Sequence, residues 1–142
     1  MKIFIKYIFY ISLLILIIVS LYPGSLIGKI LYGDFGKQPN LIQNSFGTTI
    51  NHFISYFYIS LLGLFTYLRS ENFKKLVSFL FFLSVVLEII HFIVPNRSFQ
   101  LSDLIGNILG VMVAYSLVKI YLFFSKSWIN SMNERKVLKK NL

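Results

Sequence analysis

The stretch YIFYISLLILIIVSLYPGSLI, residues 7–27, is an almost unbroken run of large apolar side chains. It follows Lys2 and Lys6, and it is long enough to cross the hydrocarbon core of a bilayer, which takes about 20 residues of helix. A cleaved signal peptide shares the basic start, but this run is long for a signal core, and residues 22–25 do not form a small-x-small cleavage site. The stretch therefore predicts a retained transmembrane helix.

The composition of the whole chain agrees with a membrane environment. Of the 142 residues, 56% are hydrophobic and only 13% are charged, which leaves too little polar surface for a soluble fold. A net charge of +9 would suggest nucleic acid in a soluble protein. Here the basic residues lie between apolar runs, where they act as topology signals, so no nucleic-acid partner is expected. The absence of cysteine excludes disulfides, thiolate metal sites and a cysteine nucleophile.

Three further apolar runs follow, at about 52–68, 76–94 and 101–124. The segment from 27 to 51 is polar and interrupted by glycine and proline, so it predicts a long loop outside the membrane. A basic tail occupies 125–142. Together these patterns predict a single domain, an all-α integral membrane protein built as a bundle of four transmembrane helices.

The distribution of lysine and arginine predicts the orientation. With four crossings, ten of these residues fall on the side of the two termini and three on the other, namely Lys29, Lys37 and Arg97. The fourteenth, Lys119, can snorkel to the nearer surface. Because basic residues remain on the inner side, both termini are expected in the cytoplasm and the protein in the inner (cytoplasmic) membrane as a multi-pass protein.

Four ionisable residues lie in or beside the predicted spans, namely His52, Glu88, His91 and Asp103. An Asp at the centre of a span costs roughly 2.5–3.5 kcal/mol, so such residues need a partner or a wet cavity. All four lie toward the outer ends of their helices, and helical spacing adds Tyr56 and Asn107 to the same stripes. The pattern predicts one polar pocket that opens outward, with Arg97 above it neutralising Glu88 or Asp103.

Each of these residues also has an explanation that needs no ligand. Asp103 can be a helix N-cap, His52 an interfacial histidine, and Asn107 a hydrogen-bonding contact between helices. Glu88 has no capping explanation, which favours a functional role or a buried ion pair.

The fourth apolar run carries a pair of glycines four residues apart. Gly106 and Gly110, continued by Ala114, allow close approach of another helix. That helix can belong to the same chain, or to a homo- or hetero-oligomer formed through the Gly106/Gly110 face.

The polar residues resemble the motifs of a known family. The residues that carry the resemblance are Glu88, His91, Pro95, Arg97, Asp103, Asn107 and Gly110, which are similar to the E-x-x-Q, Pro-x-Arg and Asp-x-x-x-Asn-x-x-Gly pattern of VanZ-like membrane proteins. The segment from His52 to Tyr56 resembles the H-F-x-x-Y motif of that family, and the whole match covers about 48–116. His91 stands where the family usually has Gln, while Thr48 and Thr49 stand where an Asp-Lys pair often occurs.

The resemblance implies a cell-envelope function connected with susceptibility to the glycopeptide teicoplanin. The first hypothesis is a pocket that binds, and by acid–base chemistry modifies, a membrane lipid or lipid-linked envelope precursor. Its catalytic candidates are Glu88, Asp103, His52 and His91, and its substrate-binding candidates are Arg97, Asn107 and Tyr56.

Two alternatives stay open beside this first hypothesis. In one, the polar cluster is a purely structural network in an accessory subunit of a membrane complex. In the other, the chain is a small proton-coupled transporter. This hypothesis is the weaker one, because the inner halves of the spans show no polar path. The residues do not decide whether any reaction is catalysed. No metal site and no cofactor is predicted, since no metal-binding motif such as H-E-x-x-H occurs.

Overall fold

The computed structural model describes residues 2–39 and 47–140, with side chains for residues 3–39 and 47–126. Over these ranges the regular structure is entirely helical, as predicted. The helices are α1 (Lys2–Leu21), α2 (Leu26–Tyr32), α3 (Thr49–Thr66), α4 (Phe73–Ile90) and α5 (Leu101–Lys140).

The short helix α2 lies inside the segment that the sequence predicts as a loop. The first apolar run does not continue as one helix to Ile27, because Pro23 and Gly24 interrupt it, and Gly24 adopts a positive φ of 76°. Ser25 then caps α2 by accepting a hydrogen bond from the backbone N–H of Gly28 at 2.9 Å. The chain therefore turns back over the end of α1 immediately after Leu21.

Two helices are long and apolar enough to cross a membrane, over Ile3–Leu21 in α1 and Leu101–Lys126 in α5. Helices α3 and α4 each have 18 residues, about 27 Å of helix against a hydrocarbon core of about 30 Å. Their polar residues, including His52 and Glu88, make them less apolar than a typical span. The structure therefore supports a membrane protein, while four crossings and the orientation of the termini stay predictions.

Helices α3 and α5 run parallel and pack closely through the glycines of α5. A Cβ atom added to Gly106 would lie 2.8 Å from the carbonyl oxygen of Thr49, and one added to Gly110 would lie 2.5 Å from that of Phe53. Ala114, one turn further along, is fully buried. Gly106 and Gly110 therefore pack against α3 of the same chain, and an oligomer formed through this face stays a prediction.

Helix α1 lies along α3 and α4, and its apolar side chains are largely exposed. At one end the ring of Phe9 packs on Gly63 of α3. At the other end the last turn of α1 meets the loop that joins α4 to α5. The polar residues gather at this second end, where α1 and α4 finish and α3 and α5 begin.

Candidate functional site

Four polar side chains are buried at the end of the bundle where α4 finishes and α5 begins. Glu88 and Asn107 are each 1% exposed, and His91 and Asp103 are each 4% exposed. Helical spacing places Glu88 and His91 on one face of the last turn of α4, and Asp103 and Asn107 on one face of the first turns of α5. His52, near the start of α3, completes the group with 21% of its side chain exposed.

Asp103 links α5 to α3. Its Oδ1 accepts a hydrogen bond from the Thr49 hydroxyl at 2.8 Å, and its Oδ2 accepts one from the Thr48 hydroxyl at 3.1 Å. The Nε2 of His52 lies 3.4 Å from Oδ2. Because α5 begins at Leu101, Asp103 lies inside the first helical turn rather than at the N-cap position. The positive end of the helix dipole favours a carboxylate at that place.

His52 and Asn107 join three helices. The side-chain nitrogen of Asn107 donates to the carbonyl oxygen of Ser84 in α4 at 3.3 Å. Its Oδ1 is therefore the acceptor that lies 3.0 Å from Nδ1 of His52, and this ring nitrogen is the donor. Both ring nitrogens of His52 are thus engaged, one toward Asn107 and one toward Asp103.

Glu88 lies at the centre of the cluster. Its Oε1 accepts a hydrogen bond from the backbone N–H of Gln100 at 3.1 Å and lies 3.3 Å from Nδ1 of His91. Its Oε2 lies 3.5 Å from the amide nitrogen of Asn107 and 3.8 Å from Nδ1 of His52. Each of the carboxylate oxygens therefore meets one histidine.

Glu88 and His91 form a close pair of an acid and an imidazole. The Nδ1 of His91 lies 3.3 Å from Oε1 of Glu88, and its Nε2 lies 3.1 Å from the carbonyl oxygen of Ser20. Because this carbonyl oxygen can only accept, Nε2 is the donor in the second contact. An imidazole and a carboxyl group are side chains that can exchange a proton with a ligand.

Arg97 does not pair with a carboxylate, contrary to the prediction from the sequence. Among the residues that the structure describes, no salt bridge within 4.0 Å joins it to Glu88 or Asp103. Its Nη2 donates to the carbonyl oxygen of Val19 at 2.8 Å, and its Nε donates to that of Tyr22 at 3.4 Å. The last carbonyls of α1 lack helical partners and form the negative end of its dipole, so they attract the cation.

The loop between α4 and α5 places Arg97 over the end of α1. Asn96 adopts a left-handed conformation with φ of 58°, which reverses the chain after Pro95. Partial burial lowers the pKa of the Arg97 guanidinium from its usual value, while the negative charge of Glu88 raises it. A guanidinium stays protonated in either case, so Arg97 supplies a permanent positive charge.

Tyr56 is almost fully buried, and its role in substrate binding stays a prediction. It is 2% exposed, and its hydroxyl lies 3.5 Å from the carbonyl oxygen of Leu83, which it faces as a donor. One edge of the residue reaches the smaller of the two cavities described next.

Two adjoining cavities open beside the polar cluster. The larger, of about 220 Å³, is lined mainly by His52, His91, Asn96, Arg97, Gln100 and Asp103. The smaller, of about 110 Å³, extends toward α1 and shares His52, His91 and Arg97 with the first. Glu88 and Asn107 line neither cavity. They lie behind the side chains that form the cavity walls. Within residues 2–39 and 47–140, no group of three histidine or acidic side chains is arranged to hold a metal ion.

The structure adds partners that the sequence did not predict. Thr48 and Thr49 bind Asp103, and their position one turn before His52 is a signal that could have suggested it. The backbone carbonyls of Val19, Ser20 and Tyr22 are also part of the network. Every residue has a backbone carbonyl group, so the sequence does not show which of them accept these hydrogen bonds.

Comparison with known proteins agrees with the resemblance seen in the motifs. A family model described as VanZ/LLP1 matches residues 4–124, which include most of α1 and every residue of the polar cluster. No curated protein and no solved structure is similar enough to count as a match. Since the family model covers well over half of the chain, the chain belongs to the VanZ/LLP1 family.

Proposed function

We propose that this VanZ/LLP1-family protein lies in the cytoplasmic membrane and binds the anionic headgroup of a lipid-linked cell-envelope precursor in the larger polar cavity, which faces outward. The observation that carries the proposal is that Arg97, His52 and His91 line one cavity of about 220 Å³. One fixed positive charge and two groups that can become positive make a site that suits phosphate or carboxylate.

The two buried acids do not prevent an anion from entering. The carboxylate of Asp103 is compensated by two threonine hydroxyls and by His52. Glu88 lies behind the wall of the cavity, where its Oε1 is 3.3 Å from Nδ1 of His91. A headgroup at the cavity would therefore meet cations and hydrogen-bond donors first, with acid–base groups directly behind them. A reaction on the headgroup, with Asn107 orienting His52, is the further step of this proposal.

The test removes the permanent positive charge from the cavity. Arg97→Gln should abolish preferential binding of polyprenyl phosphate in nanodiscs, followed by native mass spectrometry, because the phosphate loses its one fixed cation. Glu88→Gln and Asp103→Asn remove negative charge and should not weaken this binding. In cells these two variants should remove any change in teicoplanin susceptibility that the wild-type protein confers, at unchanged membrane abundance. Ser60→Ala is the control, because Ser60 is fully buried away from both cavities. Equal binding by wild type and Arg97→Gln would reject the proposal.

A second candidate function is structural, and one observation favours it. Arg97 and His91 both bind backbone carbonyls of α1, so the cluster fastens α1 to the rest of the bundle. If this were its only role, Glu88→Gln and Asp103→Asn would lower melting temperature and membrane abundance in proportion to any loss of phenotype. Stranding a buried partner is enough to cause such a loss of stability.

A further inference from the structure

A separate cavity lies between α1 and α4 at the opposite end of the bundle from the polar cluster. Its volume is about 330 Å³, within the range of roughly 300–1,000 Å³ that small-molecule pockets occupy. Its floor is apolar and consists of Phe9, Leu13, Leu76 and Phe79. Because α1 is a candidate membrane span with largely exposed apolar side chains, this cavity opens toward the lipid phase.

The rim of this cavity is polar and basic. It is formed by Tyr10, Tyr67, Asn72 and Lys75. The hydroxyls of Tyr10 and Tyr67 lie 2.5 Å apart. The ammonium group of Lys6 lies 5.9 Å from the centre of the Tyr67 ring. Lys75 lines the cavity, Lys6 lies over the Tyr67 ring, and both lysines are exposed, so two positive charges lie at or beside the rim.

We infer that this cavity binds an anionic phospholipid of the leaflet that surrounds it. The phosphate would accept a hydrogen bond from the tyrosine hydroxyl that is not donating to its neighbour and would lie between Lys6 and Lys75, while an acyl chain follows the floor along Phe9 and Phe79. The argument for this occupant is charge complementarity, since cations and hydroxyl donors form the rim and apolar side chains continue below it. Basic pockets between membrane helices recognise anionic headgroups through the same combination.

This inference does not depend on the proposed function. The two sites share no lining residue and lie at opposite ends of the bundle. A bound phospholipid here would fill the gap beside α1 and hold this helix against α4. The site is thus a place where lipid composition can act on the packing of α1.

Neighbouring lysines on α4 provide a matched test. Lys74 and Lys75 are consecutive and both exposed, but only Lys75 lines the cavity. Each change to glutamine removes one positive charge at the same depth. The full chain would be placed in nanodiscs of phosphatidylcholine containing phosphatidylglycerol, and the lipids retained would be counted by native mass spectrometry.

We expect wild type to retain phosphatidylglycerol in preference to phosphatidylcholine. Lys75→Gln should weaken this preference about fivefold, the factor expected for a lysine next to an anionic headgroup, and Lys74→Gln should weaken it clearly less because Lys74 does not line the cavity. Tyr67→Phe should weaken it as well, because it removes a rim hydroxyl without altering charge. Equal losses in the two lysine variants would mean attraction to the surface in general and would overturn the site. So would a wild-type protein without preference between the two lipids.

Discussion

Replacing Gly110 by alanine would test the close contact between α3 and α5 on which the polar cluster depends. The added Cβ would lie 2.5 Å from the carbonyl oxygen of Phe53 and 2.8 Å from the amide nitrogen of Phe57. Both are backbone atoms of α3, so no change of rotamer can relieve the contact. The two helices would have to move apart.

The expected loss of stability follows from two opposing effects. Overpacking of a tight interface costs about 1–3 kcal/mol. Alanine in place of glycine returns up to about 1 kcal/mol through helix propensity. Because backbone atoms cannot turn aside, the upper part of the overpacking range applies, about 2–3 kcal/mol, and the net destabilisation should be about 1–2 kcal/mol. Separation of the helices would also lengthen the 3.0 Å contact between His52 and Asn107, so binding at the polar cavity should fall along with stability.

The assay is reversible unfolding of the detergent-solubilised protein, with Gly63→Ala as the control. A Cβ at Gly63 would meet Phe9 at 2.7 Å, nearly as close as the 2.5 Å contact at Gly110, but the obstacle is a side-chain ring that can turn. Gly63→Ala should therefore cost clearly less than Gly110→Ala. If Gly110→Ala were as stable as wild type, or no less stable than Gly63→Ala, the reasoning would be refuted.

Three other outcomes are expected. Arg97→Gln should raise hydrogen–deuterium exchange in the last turn of α1, because it removes the side chain that binds the carbonyls there; unchanged exchange would show that the turn is held by other contacts. Thr49→Val removes the hydroxyl closest to the α5 carboxylate and should lower the free energy of unfolding by about 1.5–3 kcal/mol, as chemical denaturation would measure. A reporter active only in the cytoplasm should work when fused after Leu142 or within 69–75 and should fail within 27–51, and activity in that last segment would reject the predicted orientation.

The helices and their polar faces could be predicted because they depend on local periodicity. Apolar runs mark α3, α4 and α5, and spacings of three and four residues place Glu88 beside His91 and Asp103 beside Asn107. The contact of 3.3 Å between Glu88 and His91 agrees with that spacing. Family motifs pointed to the same residues, and the family match supports the resemblance.

The partner of Arg97 could not be predicted because it depends on where α1 ends. Charge alone favours a carboxylate, and two buried acids lie nearby. Pro23 and Gly24 stop α1 early, however, and leave its terminal carbonyls beside the loop that carries Arg97. Arg97 binds these carbonyl oxygens because of where α1 ends in three dimensions, which residue types alone do not indicate. The same early stop produced α2 within the predicted loop.

The link between Thr49 and Asp103 has a consequence for the biogenesis of the protein. The two residues are 54 positions apart in the chain. At a synthesis rate of roughly 5–20 residues per second, Asp103 is synthesised roughly 3–10 seconds after Thr49. If α3 is one of the four predicted spans, Thr49 and His52 enter the bilayer during that interval without their partners on α5. A chain truncated before Asp103 keeps these groups unpaired, so quality-control proteases of the membrane can recognise it as unfinished.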